Sequence, residues 1–401
     1  MDRVILHCDL NSYFASVECI ERPELKRVPM AVCGDPDSRH GIILAKNELA
    51  KKYGVQTAET IWQAKRKCPD LVLVPPRGDY EGYSRKVNEI YGRYTDQVEA
   101  SSIDESYLDV TASRQLFGTG QRIADTLRRK VWEELKLTIS VGVSFNKLFA
   151  KMGSDYKKPN ATTVITRDNF RKILYPLPVE SMMYVGKAAS EVLRKQFITT
   201  IGELAGTPVD HLKRLLGVGG EALWQQANGL DESPVLRPGE GEQIKSVGNG
   251  ITFRRDLSGM EDMKAGLLML CDSVGIRLRR HGLMARSVAL NIKDPSFKTI
   301  SRQAQLPGAV QTSRELYNAA LAILCRSWDV NSPIRTLTVT ASHLCFVQEG
   351  GCQVSLFPGE AIRQEKQAKL EAAIDGVRCR YGRESVTVGT VMTCDVFDRQ
   401  Q

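Results

Sequence analysis

Residues 232–243 constrain the fold of this chain more than any other stretch. Pro234, Pro238, Gly239 and Gly241 sit there among charges. That composition removes backbone donors and loosens the chain, so neither a helix nor a central strand runs through it. A 401-residue chain interrupted in this way folds as more than one unit. Before the interruption, Val4–Cys8 reads as a buried strand ending in Asp9, and Ser12–Ile20 as a helix. Asn47–Tyr53, Tyr80–Tyr94 and Arg122–Glu134 are helix-like. Val98–Val110 reads as two strands around a tight turn, and Thr138–Val143 and Thr162–Thr166 as further strands. Strands interleaved with helices predict an α/β unit to about residue 166. Short helices punctuated by glycine follow to residue 232. Beyond the interruption, Ile244–Phe253, Ser287–Ile292, Thr299–Gln305 and Thr336–Ser342 read as strands, and Met260–His281 and Ser313–Trp328 as helices. That is a smaller α+β unit. The tail adds an amphipathic stretch near 361–375 and a strand-like piece, Ser385–Cys394.

Composition narrows the class. Hydrophobic residues at 42% and charged residues at 25% are those of a globular protein, which excludes fibrous and wholly disordered chains. No apolar run is long enough to span a bilayer. The start, Met-Asp-Arg, carries no export pattern, so a cytoplasmic protein with reduced thiols is expected. The ten cysteines show no Cys-x-x-Cys pair and read as small apolar residues rather than zinc ligands or redox groups. Net charge is +8, and eleven Lys/Arg face five Asp/Glu between Lys245 and Arg302. That excess points to a polyanionic partner, with nucleic acid the obvious one.

Three carboxylates carry the chemistry. Asp9 ends the first strand. Asp104 and Glu105 lie in Ser101-Ser102-Ile103-Asp104-Glu105-Ser106, at the expected turn between two strands. Neighbours on a flat strand point to opposite faces, so both serve one site only at such a turn. Hard oxygen ligands converging from strand ends suit Mg²⁺ held jointly with phosphates, and two such ions suit phosphoryl transfer.

The flanks of these carboxylates carry a resemblance. Asp9-Leu10-Asn11-Ser12-Tyr13-Phe14-Ala15-Ser16-Val17-Glu18 resembles the opening motif of the Y-family translesion DNA polymerases, and Ser102-Ile103-Asp104-Glu105 their second metal motif. Val141-Gly142-Val143-Ser144-Phe145-Asn146-Lys147 through Lys151, with Lys158-Pro159-Asn160, resembles the third. The order of motifs looks closest to the bacterial polymerase IV (DinB-type) branch. The resemblance implies a right-hand polymerase of α/β and α+β domains. Residues 1–10 and 77–166 would form the palm, 11–76 the fingers, and 167–233 a small helical thumb with a helix–hairpin–helix. A flexible linker at 234–243, a little finger at 244–345 and a tail at 346–401 would follow.

The resemblance also implies roles. Asp9, Asp104 and Glu105 would hold two Mg²⁺ ions with the Leu10 carbonyl. Asn11, Tyr13, Phe14, Lys51 and Lys158 would bind the incoming nucleotide, with Phe14 under its sugar as a steric gate and Lys158 on the triphosphate. Lys147 and Lys151 share a helix face and either brace the fold or contact DNA phosphate. Gly186, Lys187, Gly217 and Gly219 would bring backbone N–H groups to DNA, and Arg254 and Arg255 would face its backbone. Gln353, Leu356 and Phe357 resemble a peptide that binds the bacterial sliding clamp. Two departures from the family pattern stand out: Asn11 stands where Asp is usual, and Glu48 and Lys51 stand where a Tyr and an Arg often grip the triphosphate. The expected activity is low-fidelity, template-directed DNA synthesis past lesions, without proofreading, by a monomer using primer–template DNA and dNTPs, with no membrane partner. A non-catalytic relative acting as a scaffold on DNA and clamp is the alternative. A two-metal nuclease is a third reading, though it needs neither Phe14 at the gate nor Lys158.

Overall fold

The structure, a computed structural model, describes residues 2–36, 38–240, 243–347, 358–389 and 394–397. The chain divides into two units: Met1–Asp37 with Gly41–Gly241, and Ser38–His40 with Glu242–Gln401.

The first unit opens with β1 (Ile5–Leu10) and α1 (Tyr13–Glu21), then β2 (Met30–Cys33), β3 (Ile43–Lys46), α2 (Glu48–Lys52), α3 (Ile61–Lys67) and β4 (Val72–Val74). It continues with α4 (Tyr80–Gly92), β5 (Val98–Ala100), β6 (Glu105–Asp109), α5 (Arg114–Phe117), α6 (Gly120–Leu135), β7 (Ile139–Ser144), α7 (Lys147–Tyr156) and β8 (Thr162–Val164). Five short helices close it: α8 (Phe170–Leu174), α9 (Lys187–Arg194), α10 (Ile201–Gly206), α11 (Val209–Leu216) and α12 (Val218–Ala227). Its main sheet runs β5-β6-β1-β7-β8. A second, three-stranded sheet, β3-β2-β4, includes a parallel β2–β4 pair that local pattern does not reveal.

β1 is buried along its whole length because helices cover both faces of its sheet. Leu6, Cys8 and Leu10 pack with Val87, Ile90 and Tyr91 of α4 and with Ile123, Leu127 and Val131 of α6. By strand alternation, Ile5, His7 and Asp9 face the other side. There Ile5 packs with Ala150 of α7, and His7 meets Ser154. α7 starts at Asn146, whose side chain accepts the Phe149 N–H, an ordinary N-cap. It lies against the sheet at Gly142, where a Cβ would stand 1.8 Å from the Ala150 carbonyl oxygen and 2.5 Å from the Ser154 nitrogen. α8–α12 form their own core with Phe145, Phe149 and Phe170 in mutual ring contact.

The stretch expected to be a flexible linker is fastened over its first half. Val235 is 2% exposed and packs with Ile5, Tyr107 and Ala150. The Leu236 N–H donates to Glu99, and Arg237 pairs with Asp96. The described residues 234–240 carry no helix or strand, but one apolar side chain among them is enough to dock the stretch.

The second unit holds β9 (Ser246–Leu257), α13 (Gly259–Arg280), β10 (Leu283–Lys293), β11 (Thr299–Val310), α14 (Ser313–Ser327), β12 (Ile334–Phe346) and α15 (Pro358–Tyr381). Its antiparallel sheet runs β11-β10-β12-β9. α13 and α14 share one apolar core with the sheet. α15 is joined to α13 by Arg279 on Glu371 and Asp375 and by Arg378 on Asp272. The strand expected at Ser385–Cys394 does not form in the described residues 385–389, and 390–393 lie outside them. Val396 is nevertheless wholly buried, and its carbonyl accepts the Arg254 N–H. Cys8, Cys19, Cys33, Cys68 and Cys271 are buried as small apolar residues, whereas Cys325 and Cys379 are exposed. Among the described residues no helix is long and apolar enough to cross a membrane.

Gly142→Ala would drive a methyl into the backbone of α7. It should destabilise the protein by about 3 kcal/mol, the upper end for overpacking, read as a lowered urea midpoint with an unchanged slope.

Candidate active site

Antiparallel register sets Asp9 directly opposite Glu105, and directly opposed residues share a sheet face. The face is the one under α7. On that helix, positions 147, 150, 151 and 154 fall on one side. Lys151 Nζ lies 2.7 Å from Glu105 Oε1 and 3.3 Å from Asp9 Oδ2. Lys158, just past the helix, places Nζ 2.7 Å from Asp9 Oδ2 and 2.7 Å from Asp155 Oδ1. His7, two residues before Asp9, lies beneath Glu105. Its Nδ1 is 2.8 Å from Ser154 Oγ and its Nε2 3.5 Å from Glu105 Oε2.

These contacts split the two carboxylates. Burial pushes Asp9 up to about 6, and Lys158 opposes the rise. Glu105 is held well below the usual carboxylate range by His7, against its burial, with further help from Lys151. Lys151 and Lys158 are both raised: burial works against their charge, but the carboxylates around them outweigh it. His7 is lowered by burial, which favours the neutral ring.

Asp104 does not join the cluster. It precedes β6 in a bend, and its carboxylate accepts the Ser102 hydroxyl at 2.6 Å. Among the described residues no three His, Cys, Asp or Glu side chains gather as a metal site. The backbone does bring the segments together, since the Leu10 N–H donates to the Asp104 carbonyl.

The remaining expected residues fall into groups. Phe14 is partly exposed and meets Tyr80 edge-on, ring centroids 4.5 Å apart. Tyr13, expected at the nucleotide, is buried beside Phe14, and its hydroxyl donates to the Tyr80 carbonyl. Asn11, also expected there, is buried and bridges two elements: its amide donates to Ser140 Oγ at 2.9 Å and accepts the Asn160 N–H at 2.8 Å. Lys51 and Glu48 are exposed on α2 and pair with each other at 3.8 Å, so Glu48 has a cation of its own. Lys147 braces the fold: Nζ is 2.6 Å from Glu99 and lies over the Tyr107 ring. Lys151, expected either to brace the fold or to contact DNA, is paired with Asp9, Glu105 and Asp155.

Gly186 precedes α9, which begins at Lys187, and Gly217 joins α11 to α12 with φ 64°, a left-handed conformation suited to glycine. A Cβ on Gly219 would meet open space, whereas one on Gly220 would lie 2.2 Å from the Leu212 carbonyl oxygen. In the second unit Arg254 is exposed on β9. Arg255, expected at the DNA backbone, is also exposed and pairs with Asp262 and Asp395. Gln353, Leu356 and Phe357 lie outside the described residues. Sequence reasoning missed His7, Asp155, Ser154, Glu18 and Tyr80. A local signal existed for two: His7 shares the Asp9 face by period two, and Asp155 is four residues from Lys151 and three from Lys158.

Known proteins align over nearly all of this arrangement. The sequence profile of the impB/mucB/samB family matches residues 8–155, and that of the impB/mucB/samB family C-terminal domain matches 244–356. DNA polymerase IV of Acetivibrio thermocellus is 45% identical over 394 residues, covering 98% of this chain and 98% of the relative. DNA polymerase IV 2 of Bacillus subtilis is 35% identical over 408 residues, covering 99% and 97%. A solved Y-family DNA polymerase chimera superposes with a TM-score of 0.74 over 86% of this chain and 99% of its own, at 22% identity. That last likeness is one of fold.

The raised Asp9 gives a pH test. Without added metal, its carboxyl ¹³C shift should titrate near pH 6, and Lys158→Met should move the midpoint higher. Its unfolded value is about 3.9, so Asp9 contributes less to stability as pH rises from about 4 through about 6. A midpoint near 4 in the folded protein would contradict the burial argument.

Proposed function

The chain belongs to the impB/mucB/samB family, in the polymerase IV branch of the Y-family DNA polymerases, and from that membership we propose that the Asp9–Glu105 cluster catalyses nucleotidyl transfer from a dNTP to a primer 3′-OH. The protein is a DNA-directed DNA polymerase. The observation that carries the site assignment is the pairing of Asp9 and Glu105 across β1 and β6 under two lysines.

The donor set fits divalent cations. Asp9 and Glu105 offer hard oxygens facing each other across β1 and β6. Asp104 would join once its side chain leaves Ser102, and the Leu10 carbonyl would complete the set. Two Mg²⁺ ions bound there supply a lowered pKa for the attacking hydroxyl and charge neutralisation at the leaving oxygen.

The chain's own residues do the rest. Lys158 is close enough to Asp9 to exchange a carboxylate for the triphosphate, as a flexible ammonium can. Phe14 forms a floor under the sugar, where a 2′-hydroxyl would clash. Asn11 keeps the Lys158 loop against the end of β1. The glycine turns before α9 and α12, with Lys187, offer backbone N–H groups to DNA phosphate, and Arg254 offers charge from the second unit. Such contacts position DNA without reading sequence. The segment Gln353–Phe357 would bind the sliding clamp. Family membership supports low-fidelity synthesis past lesions, without proofreading, by a monomer in the cytoplasm. The scaffold alternative loses its one supporting feature, since Glu48 pairs with Lys51.

Primer extension on an undamaged template with Mg²⁺ and four dNTPs tests the assignment. Wild type should extend distributively, and Asp104→Ala should lose about 100-fold or more of that rate. A folded wild type that binds DNA without extending it would restore the scaffold reading. Replacing Leu356 and Phe357 together by Ala should abolish clamp binding and leave clamp-free extension intact; an unmoved clamp affinity would refute that motif.

A further inference from the structure

Glu18 is a carboxylate for which the transfer reaction has no use. It lies on α1 and is wholly buried, at 0% exposure. A buried carboxylate is costly unless every oxygen is satisfied, and here each one is. Oε1 accepts the Arg77 N–H at 2.7 Å, the Gly78 N–H at 3.0 Å and the Tyr80 hydroxyl at 2.5 Å. Oε2 pairs with Arg22. Burial pushes the Glu18 carboxyl up, but the Tyr80 hydroxyl, the backbone N–H groups and Arg22 outweigh it, so the group stays ionised.

The residues it grips lie where the chain leaves β4 and enters α4. Gly78 approaches α1 so closely that a Cβ would stand 2.6 Å from Val17 Cγ1 and 3.2 Å from Tyr80 Cε1. Tyr80 is thus fastened at three points. Its hydroxyl is on Glu18, its carbonyl takes the Tyr13 hydroxyl, and its ring meets the Phe14 ring edge-on at 4.5 Å and 72°. An edge-on ring contact alone is weak and leaves both rings free to shift. A ring that must reject a single extra hydroxyl has to be placed to within a fraction of an ångström.

We propose that Glu18 is a positioning residue for sugar selection: through the Tyr80 hydroxyl it fixes the ring on which Phe14 rests. The inference builds on the reading of Phe14 as the floor beneath the sugar. The residues that Glu18 bonds, Arg22, Arg77, Gly78 and Tyr80, include none of the proposed metal ligands. The effect of Glu18 is on the height and tilt of Phe14, so it alters the preference between dNTP and rNTP rather than the transfer step itself.

The test is single-nucleotide insertion, comparing kcat/KM for a dNTP with that for the matching rNTP. Tyr80→Phe removes one hydroxyl and keeps the ring. Glu18→Ala removes the acceptor. Both should lower the dNTP preference by about five- to tenfold, the size expected for one lost buried hydrogen bond. Glu18→Gln keeps an amide oxygen for the same three donors and should stay within twofold of wild type. That rescue is not expected of a residue that merely stabilises the fold through its charge. Should Glu18→Ala fail to fold, Tyr80→Phe decides alone. Preference within twofold of wild type in Tyr80→Phe, while Phe14→Ala lowers it, overturns the role of Glu18 and leaves the floor standing. Preference unmoved in Phe14→Ala as well removes the floor, and the proposal with it.

Discussion

Asp9 and Glu105 face each other at a depth where the Asp9 side chain is 7% exposed. Two negative charges so placed do not both stay ionised unless cations match them. Lys151 and Lys158 supply that match, and much of the first unit serves to keep them there. α7 reaches the carboxylates only because Gly142 lets its backbone touch β7. Ser154 on the same helix face meets His7, and Lys147 is tied to Glu99 one strand further out. The match is incomplete, since Asp155 adds a third carboxylate against two ammonium groups. Burial is the main reason Asp9 stays raised, and Lys158 offsets only part of it. A site of this kind is expected to cost stability.

The sequence made the strand framework and the identity of the acidic residues legible, because an apolar run ending in Asp and a turn carrying Asp-Glu are local patterns. What those side chains touch was not. The face shared by Lys147 and Lys151 follows from spacing, but which carboxylate each meets depends on the β1–β6 and β1–β7 registers, set by contacts about 100 residues or more apart. Asp104 turns away because of a hydroxyl two residues earlier, a rotamer choice no pattern encodes. The parallel β2–β4 pair joins residues about 40 apart and left no periodic trace. Among the described residues of 232–243, 232–240 and 243, no regular element forms, in line with the composition, which gave no hint that Val235 docks.

The second unit shows why counting charges overstates the field a polyanion meets. Arg255 and Arg279, both within the basic stretch, are committed to Asp262 with Asp395 and to Glu371 with Asp375. Arg277 donates to the Gly248 carbonyl. These arginines spend their charge on the fold. Glu371 also accepts the Ser313 and Arg314 N–H groups at the start of α14, where a helix leaves donors unpaired. One carboxylate therefore caps α14 and anchors α15. The clamp-like motif lies in sequence between β12 and α15, two elements fixed in this same unit.

Asn11 connects these themes. It follows the strand that carries Asp9 and precedes Ser12, whose φ of 47° turns the chain into α1. An amide can donate to Ser140 and accept from Asn160 at once, whereas an ionised carboxylate only accepts. The Asn160 end of that bridge leads back to Lys158, and Arg128 grips the same residue from α6. A carboxylate at position 11 would also add negative charge beside a cluster that already holds more carboxylates than ammonium groups. Asn11 keeps the bridge and omits the charge. Its departure from the usual aspartate therefore changes how the lysine loop is fastened to β1 and leaves the carboxylates on the α7 face unaltered. Phe14 on α1 and Lys158 after α7 are both referenced to the end of one strand, through different bonds, so each can be altered without moving the other.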